Sequence, residues 1–288
     1  MARPLLHGFL LFLLYLPLAV LGLQWARVGG AGTAVWPAFG VALACLLLWG
    51  PRIWPAIFAG RLLAGILTGS EQPLWAEVAI AAVNAGADLL GALILQKYAG
   101  INLRLRTRRD ILWLAFAIAV AAAVSATLGT AVIAASSGLS AGAATDVWAA
   151  WWSGNMVAGL TLTPLILSWS KGESFAFDGQ RWLHLALCLA AVASLSWLVF
   201  EPDVLPWLRS WHLFPVLIWA ALGFNVRGAS AALLITASFA LWGLSAGEGP
   251  LIHPGLDPVL TTQQFVALSA LTILLLAAIS DERRSIEP

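Results

Sequence analysis

Charge is what this sequence has least of. Asp, Glu, Lys and Arg make up only 10% of its 288 residues, against about 25% in an ordinary soluble domain. With 61% apolar residues and a mean hydropathy of +0.89, the chain cannot cover itself with polar surface, so a water-soluble fold is excluded. The same apolar excess excludes intrinsic disorder. Cysteine is almost absent: Cys45 and Cys188 each lie deep in an apolar run, which excludes a disulfide scaffold. Net charge is only +1, so nucleic acid is not an expected partner. The four histidines, His7, His184, His212 and His253, stand on different segments without ligand spacing. No HExxH, GxSxG, Walker A or dinucleotide-binding glycine pattern occurs. No catalytic residue, metal site or cofactor is therefore expected, and the chain does not read as an enzyme.

What is present is a series of long apolar stretches. A bilayer core about 30 Å thick takes about 20 helical residues. Ten stretches qualify as helices: 5–24, 34–49, 53–68, 75–97, 111–135, 145–169, 182–200, 211–224, 228–246 and 260–280. They are continuously apolar rather than alternating, which favours helices over barrel strands. The expected fold is all-α, a polytopic transmembrane helical bundle of eight to ten spans with ten favoured. The second, third and eighth stretches are short, and the eighth reads as a broken or re-entrant helix. A single membrane domain over 1–280 and a short tail over 281–288 account for the whole length.

Charge placement orients the chain. With ten spans and a cytoplasmic N-terminus, Arg3, Arg52, Lys97, Arg104, Arg106, Arg108, Arg109, Lys171, Arg181, Arg227, Arg283 and Arg284 fall inside, and only Arg27 and Arg209 fall outside. That asymmetry in short loops predicts cytoplasmic termini. Most of the 16 tryptophans sit at span ends, where an indole anchors the lipid interface. The first stretch lacks a small-residue cleavage site and reads as a retained anchor. The one long polar loop, 98–110, carries four arginines. It reads as an orientation signal beside the anionic leaflet, or as a docking patch for an acidic cytosolic partner.

Ionisable residues inside spans are the strongest functional signal, since each costs about 2.5–3.5 kcal/mol on insertion scales. Arg61 is central in the third span and Asp88 near the centre of the fourth, at depths differing by roughly 9 Å. Asn84 shares a helix face with Asp88 at i,i+4. Small residues surround them: Ala81, Ala85, Gly86, Ala87, Gly91 and Ala92. Such a run lets backbones approach closely. Two readings stay open: an Arg61–Asp88/Asn84 brace, or a polar cluster lining a ligand or signal site. Ser125, Thr127 and Thr130 are expected to bond their own i−4 carbonyls. Pro164 should kink the sixth span, with Thr161 or Thr163 serving the released carbonyl.

Four segments carry a family resemblance. They are Trp36-Pro37-Ala38-Phe39-Gly40 with the following 48–60, Asn84-Ala85-Gly86-Ala87-Asp88, Trp151-Trp152-Ser153-Gly154-Asn155 with Thr163-Pro164-Leu165, and Phe214-Pro215 with Arg227-Gly228-Ala229. In that order they resemble the MASE1 integral membrane sensory domain family. The resemblance implies a bacterial inner-membrane input module that acts through a histidine kinase, a diguanylate cyclase or another cytosolic signalling partner, with a homodimer also open to it. The expected ligand or signal site takes Trp36, Pro37, Trp151, Trp152, Asn155 and Pro164 from these segments together with Arg61, Asn84 and Asp88. The sequence departs from the pattern in two ways. Asn155 stands where the family usually carries Asp, and the given sequence stops where the family continues into an output domain. The alternative is a small-solute transporter or permease subunit with a mid-membrane polar site.

Overall fold

The computed structural model describes residues 2–24, 27–28, 32–33, 35–170, 179–201, 205 and 207–285. Nine α-helices are found among them: α1 (Ala2–Gln24), α2 (Pro37–Trp49), α3 (Pro55–Leu67), α4 (Leu74–Leu93), α5 (Arg108–Ser137), α6 (Ala141–Ser170), α7 (Gly179–Phe200), α8 (Phe214–Ala246) and α9 (Pro258–Arg284). Prolines set several starts. Pro37, Pro55, Pro215 and Pro258 each occupy the first turn of a helix, where the missing N–H costs nothing and φ is already helical. Glycines set stops, as at Gly100 and Gly247, both left-handed. A six-residue π-turn, Ile94–Ala99, extends α4 to the first of these glycines. Asp257 caps α9 by accepting from the amides of Val259 and Leu260. Thr107 and Asp110 cap α5 reciprocally: the Asp110 amide donates to Thr107 Oγ1 and the Thr107 amide to Asp110 Oδ2, a capping box.

Among the described residues, six helices are long and apolar enough to cross a membrane, and the chain is an integral, multi-span membrane protein. The helices α2 and α3 have 13 residues each, about 20 Å of rise, short of the hydrocarbon core. The helix α6 has 30 residues. The eighth and ninth apolar stretches run together as α8, yet the expected break is real. Phe224 (φ −133°, ψ 18°) and Asn225 (φ 51°, ψ −154°) leave helical geometry. The segment after α1 holds a feature the sequence did not suggest, a two-residue antiparallel pairing of Arg27–Val28 with Gly32–Thr33.

The chain divides into two compact units. The first comprises 1–101 and 113–163, the second 102–112 and 164–288. In the first, α1 packs on α2 and α3, and α4 packs on α2 and α3. The helix α2 is its centre, buried from Ala38 to Leu47. Small residues allow the close approach. A Cβ on Gly91 would meet Ala121 at 3.2 Å and Leu43 at 3.4 Å, and one on Gly159 would meet Phe39 at 3.0 Å. The outer face of α1 presents Leu5, Leu6, Phe9, Leu13 and Leu14, as a lipid-facing surface should.

In the second unit, α7, α8 and α9 pack side by side. Here the arginine loop meets the end of α9. Arg106 Nε lies 3.8 Å from Asp281 Oδ2, Arg108 Nε lies 4.0 Å from Glu282 Oε2, and Arg284 donates to the Leu222 carbonyl. These arginines are thus engaged within the chain.

Candidate functional site

The buried polar groups of the first unit come from five helices. Arg61, on α3, is 6% exposed, and its Nη1 donates to Glu77 Oε2 at 2.9 Å. Glu77, in the first turn of α4, also accepts from Ser70 Oγ at 2.6 Å through Oε1. The guanidinium sits 5.7 Å from the centre of the Trp36 ring, within cation–π range. Gly65, one turn beyond Arg61, makes room for the pair, because a Cβ there would strike both Glu77 Oε2 and Arg61 Nη1. The Arg61–Asp88/Asn84 brace is therefore corrected: the partner of Arg61 is Glu77. Asn84 instead returns its Nδ2 to the Ile80 carbonyl at 2.9 Å, one turn back on its own helix.

That leaves Asp88 buried, at 1% exposure, with Oδ2 lacking any hydrogen-bond partner among the described residues. Tyr15, wholly buried on α1, lies in electrostatic reach of both Asp88 and Arg61. Its ring edge faces Gly60, where a Cβ would come within 2.7 Å. Neither Tyr15 Oη nor Trp36 Nε1 has a hydrogen-bond partner among the described residues. Pro37 follows as the first residue of α2 and fixes where Trp36 enters.

From α5 and α6 come three more residues of the same kind. Ser125 Oγ, Thr130 Oγ1 and both amide atoms of Asn155 are buried without partners among the described residues. The expected i−4 bonds of Ser125 and Thr130 are thus not made. Thr127 accepts instead from Trp148 Nε1 at 3.0 Å. Helix register puts Asp88, Ser125 and Asn155 at a similar depth. The short 100–107 and 138–140 connections make α4, α5 and α6 antiparallel neighbours. Gly91 faces Ala121, and Gly159 faces Ile118. One turn toward the far side of those contacts come Asp88, Ser125 and Asn155.

The tryptophan pair has another task. Trp152 Nε1 donates to the Ala119 carbonyl at 3.2 Å and the ring stacks on Trp148 at 5.9 Å. Trp151 packs against Gly129. Both tie α6 to α5. Pro164 lies inside α6 at the division between the units. Thr163 Oγ1 donates to the Gly40 carbonyl at 2.9 Å, and Thr161 Oγ1 to Val157 at 2.7 Å; neither serves the carbonyl that Pro164 releases.

Sequence reasoning missed Tyr15 and Glu77, although each had a signal. Tyrosine belongs at the interface, so one in mid-span asks for a polar reason. Glu77 is the first acid after the α3–α4 turn, and its depth is within about 8 Å of Arg61, a reach a long arginine closes.

A buried polar group left unbonded costs about 1–3 kcal/mol, and each calls for an explanation. Tyr15, Trp36, Asp88, Ser125, Thr130 and Asn155 all belong to the first unit. The arrangement offers acceptors and donors but no activated nucleophile. Among the described residues, no three His, Cys, Asp or Glu side chains form a metal-ligating group.

Comparison with known protein families finds a match. The family model MASE1 covers residues 7–284, nearly the whole chain. No curated protein and no solved structure is detectably similar.

Proposed function

Since the chain belongs to the MASE1 family of membrane sensory domains, we propose that it is a sensory input module of a bacterial inner membrane that acts through a separate cytosolic partner. The partner class is a histidine kinase, a diguanylate cyclase or another signalling protein. The observation that carries this reading is the set of buried, unbonded polar atoms around Asp88, Tyr15 and Asn155, which a bound stimulus would satisfy. Arg61, Asn84 and Trp36 complete that site. Pro37, Trp151, Trp152 and Pro164 act by fixing the helices that line it.

A stimulus shifts output only through different affinity for two helix arrangements. The end of α9, held by Arg106 and Arg108, is the natural exit for that shift. Ten crossings with both termini cytoplasmic fit the basic-residue asymmetry. A phosphatase fusion after Pro288 should be inactive, and activity there overturns the orientation.

The functional test is co-reconstitution with a partner captured from native membranes. Asn155→Leu should change the partner's activity while the chain stays folded. A partner indifferent to Asn155→Leu, Tyr15→Phe and Asp88→Asn alike would refute the reading. The size of the captured complex also reports any homodimer. The broken α8 favours a second reading, transport, because transporters break helices at binding sites. Solute uptake by vesicles holding this chain alone would establish that one instead.

A further inference from the structure

We propose that the cavity beside the break in α8 binds a phosphate ester, and that its source is the headgroup of an anionic phospholipid. The proposal concerns the second unit alone and is independent of the polar cluster in the first.

The lining gives the chemistry. The cavity has a volume of about 620 Å³ and is bordered by Gln180, Arg181 and His184 from α7 and by Trp219, Gly223 and Phe224 from α8. All six belong to the second unit, and the volume is ordinary for a small-molecule site. Guanidinium, amide, imidazole and indole can each present an N–H, and none of the six residues is acidic. A lining that donates and carries positive charge selects an anion, and the fork of a guanidinium matches the oxygens of phosphate. Gly223 keeps the space open. A Cβ there would lie 3.6 Å from Trp219 Cδ1 and 3.8 Å from its Nε1, so a larger side chain would fill the space beside the indole N–H.

The break in α8 could have spoiled such a site. A helix that stops at Phe224 leaves carbonyls whose dipoles repel an anion. One of them is covered: Arg284 donates to the Leu222 carbonyl, which brings a second guanidinium to the residue beside Gly223. Asp281 and Glu282, on the same end of α9, are drawn to Arg106 and Arg108.

Depth decides the source. The helix α7 is a 22-residue apolar span that begins at Gly179. Its length of about 33 Å matches a hydrocarbon core of about 30 Å, so Arg181 and His184 lie near headgroup level. Basic pockets between helices at that level bind anionic headgroups. Leu183, Leu187 and Leu222, neighbours of the lining residues along α7 and α8, are exposed and offer the apolar surface that acyl chains require. A soluble phosphate ester has no use for that surface.

The test uses the purified full chain in detergent at fixed pH and ionic strength. Phosphatidylglycerol, phosphatidylcholine with the same acyl chains, or soluble glycerol phosphate is titrated, and thermal unfolding is followed. Phosphatidylglycerol should raise Tm saturably, and the other two should not. Arg181→Gln should weaken its apparent affinity about tenfold, the loss of one hydrogen bond to a charged group. His184→Ala should weaken it in the same direction. Both side chains are exposed, so the unliganded Tm should stay unchanged. Gly223→Leu fills the cavity and leaves every charge in place. Loss of the lipid effect there excludes a diffuse electrostatic attraction. Phosphatidylglycerol acting no better than phosphatidylcholine, or a lipid effect that survives in all three variants, overturns the proposal. A Tm rise with glycerol phosphate that the same variants abolish keeps the phosphate site and overturns the lipid as its source.

Discussion

Arg61 and Glu77 illustrate how a membrane interior treats charge. The pair is 7% and 6% exposed at its side chains, so removing one member strands the other. Arg61→Leu is expected to cost about 3–5 kcal/mol, read as a lowered Tm in detergent. Arg61→Leu with Glu77→Leu should recover most of that loss, since a buried pair replaced by apolar groups is often neutral. Gly65→Ala should destabilise by about 1–3 kcal/mol through overpacking. Gly8→Ala, with nothing within 4 Å, should be neutral or stabilise by up to about 1 kcal/mol, and the contrast in Tm checks the pair. Arg61 and Asp88 could be read from the sequence because charge in an apolar run stands out. Their pairing could not, because depth along a helix does not give rotation about it, and a long side chain blurs even depth. Tyr15 was hidden by chemistry: its ring suits the apolar run, and only the hydroxyl objects.

At the scale of elements, punctuation was legible and geometry was not. Pro37, Pro55 and Pro258 start helices where the sequence places them within a few residues, and the region around Asn225 breaks α8 as its Asn-Val-Arg-Gly composition suggests. The tryptophan pair was harder. An interfacial indole and one donating to a neighbouring helix carbonyl look alike until the helices are packed. The Asn225 backbone lies in a region that disfavours side chains, while its Oδ1 accepts from the Arg227 amide at 3.1 Å. Asn225→Ala should therefore cost about 1–2 kcal/mol, from strain plus a lost bond, and Asn225→Gly less. Unfolding midpoints of the two variants, compared directly, give the order. The contacts of Arg106 and Arg108 with α9 are solvated, at 47% and 69% side-chain exposure. Arg106→Gln with Arg108→Gln should leave global stability within about 1 kcal/mol. Hydrogen exchange at 281–284 should nevertheless rise, and added salt should reproduce the effect in the unaltered chain.

For the molecule as a whole, composition alone identified the solvent, and ordered motifs identified the family. Crossing number resisted, because α2 and α3 are too short for the usual length rule yet α2 is buried nearly throughout. A short helix sheltered by protein need not match bilayer thickness, so hydropathy counts and membrane crossings part company there. Unbonded polar atoms escaped the sequence for a related reason: a missing partner is a property of packing. The helix α9 leaves the bundle with its basic end tied to α8 and its acidic residues tied to the arginine loop.

The discontinuity at Phe224–Asn225 has a mechanical corollary. A continuous helix behaves as a stiff shaft, and torque applied at one end emerges at the other. A shaft interrupted at two residues is a universal joint. At the break the Asn225 side chain accepts from the Arg227 amide, and Arg227 Nε grips the Ser168 carbonyl at 2.8 Å. An amide and a guanidinium thus help to set the gearing of that joint.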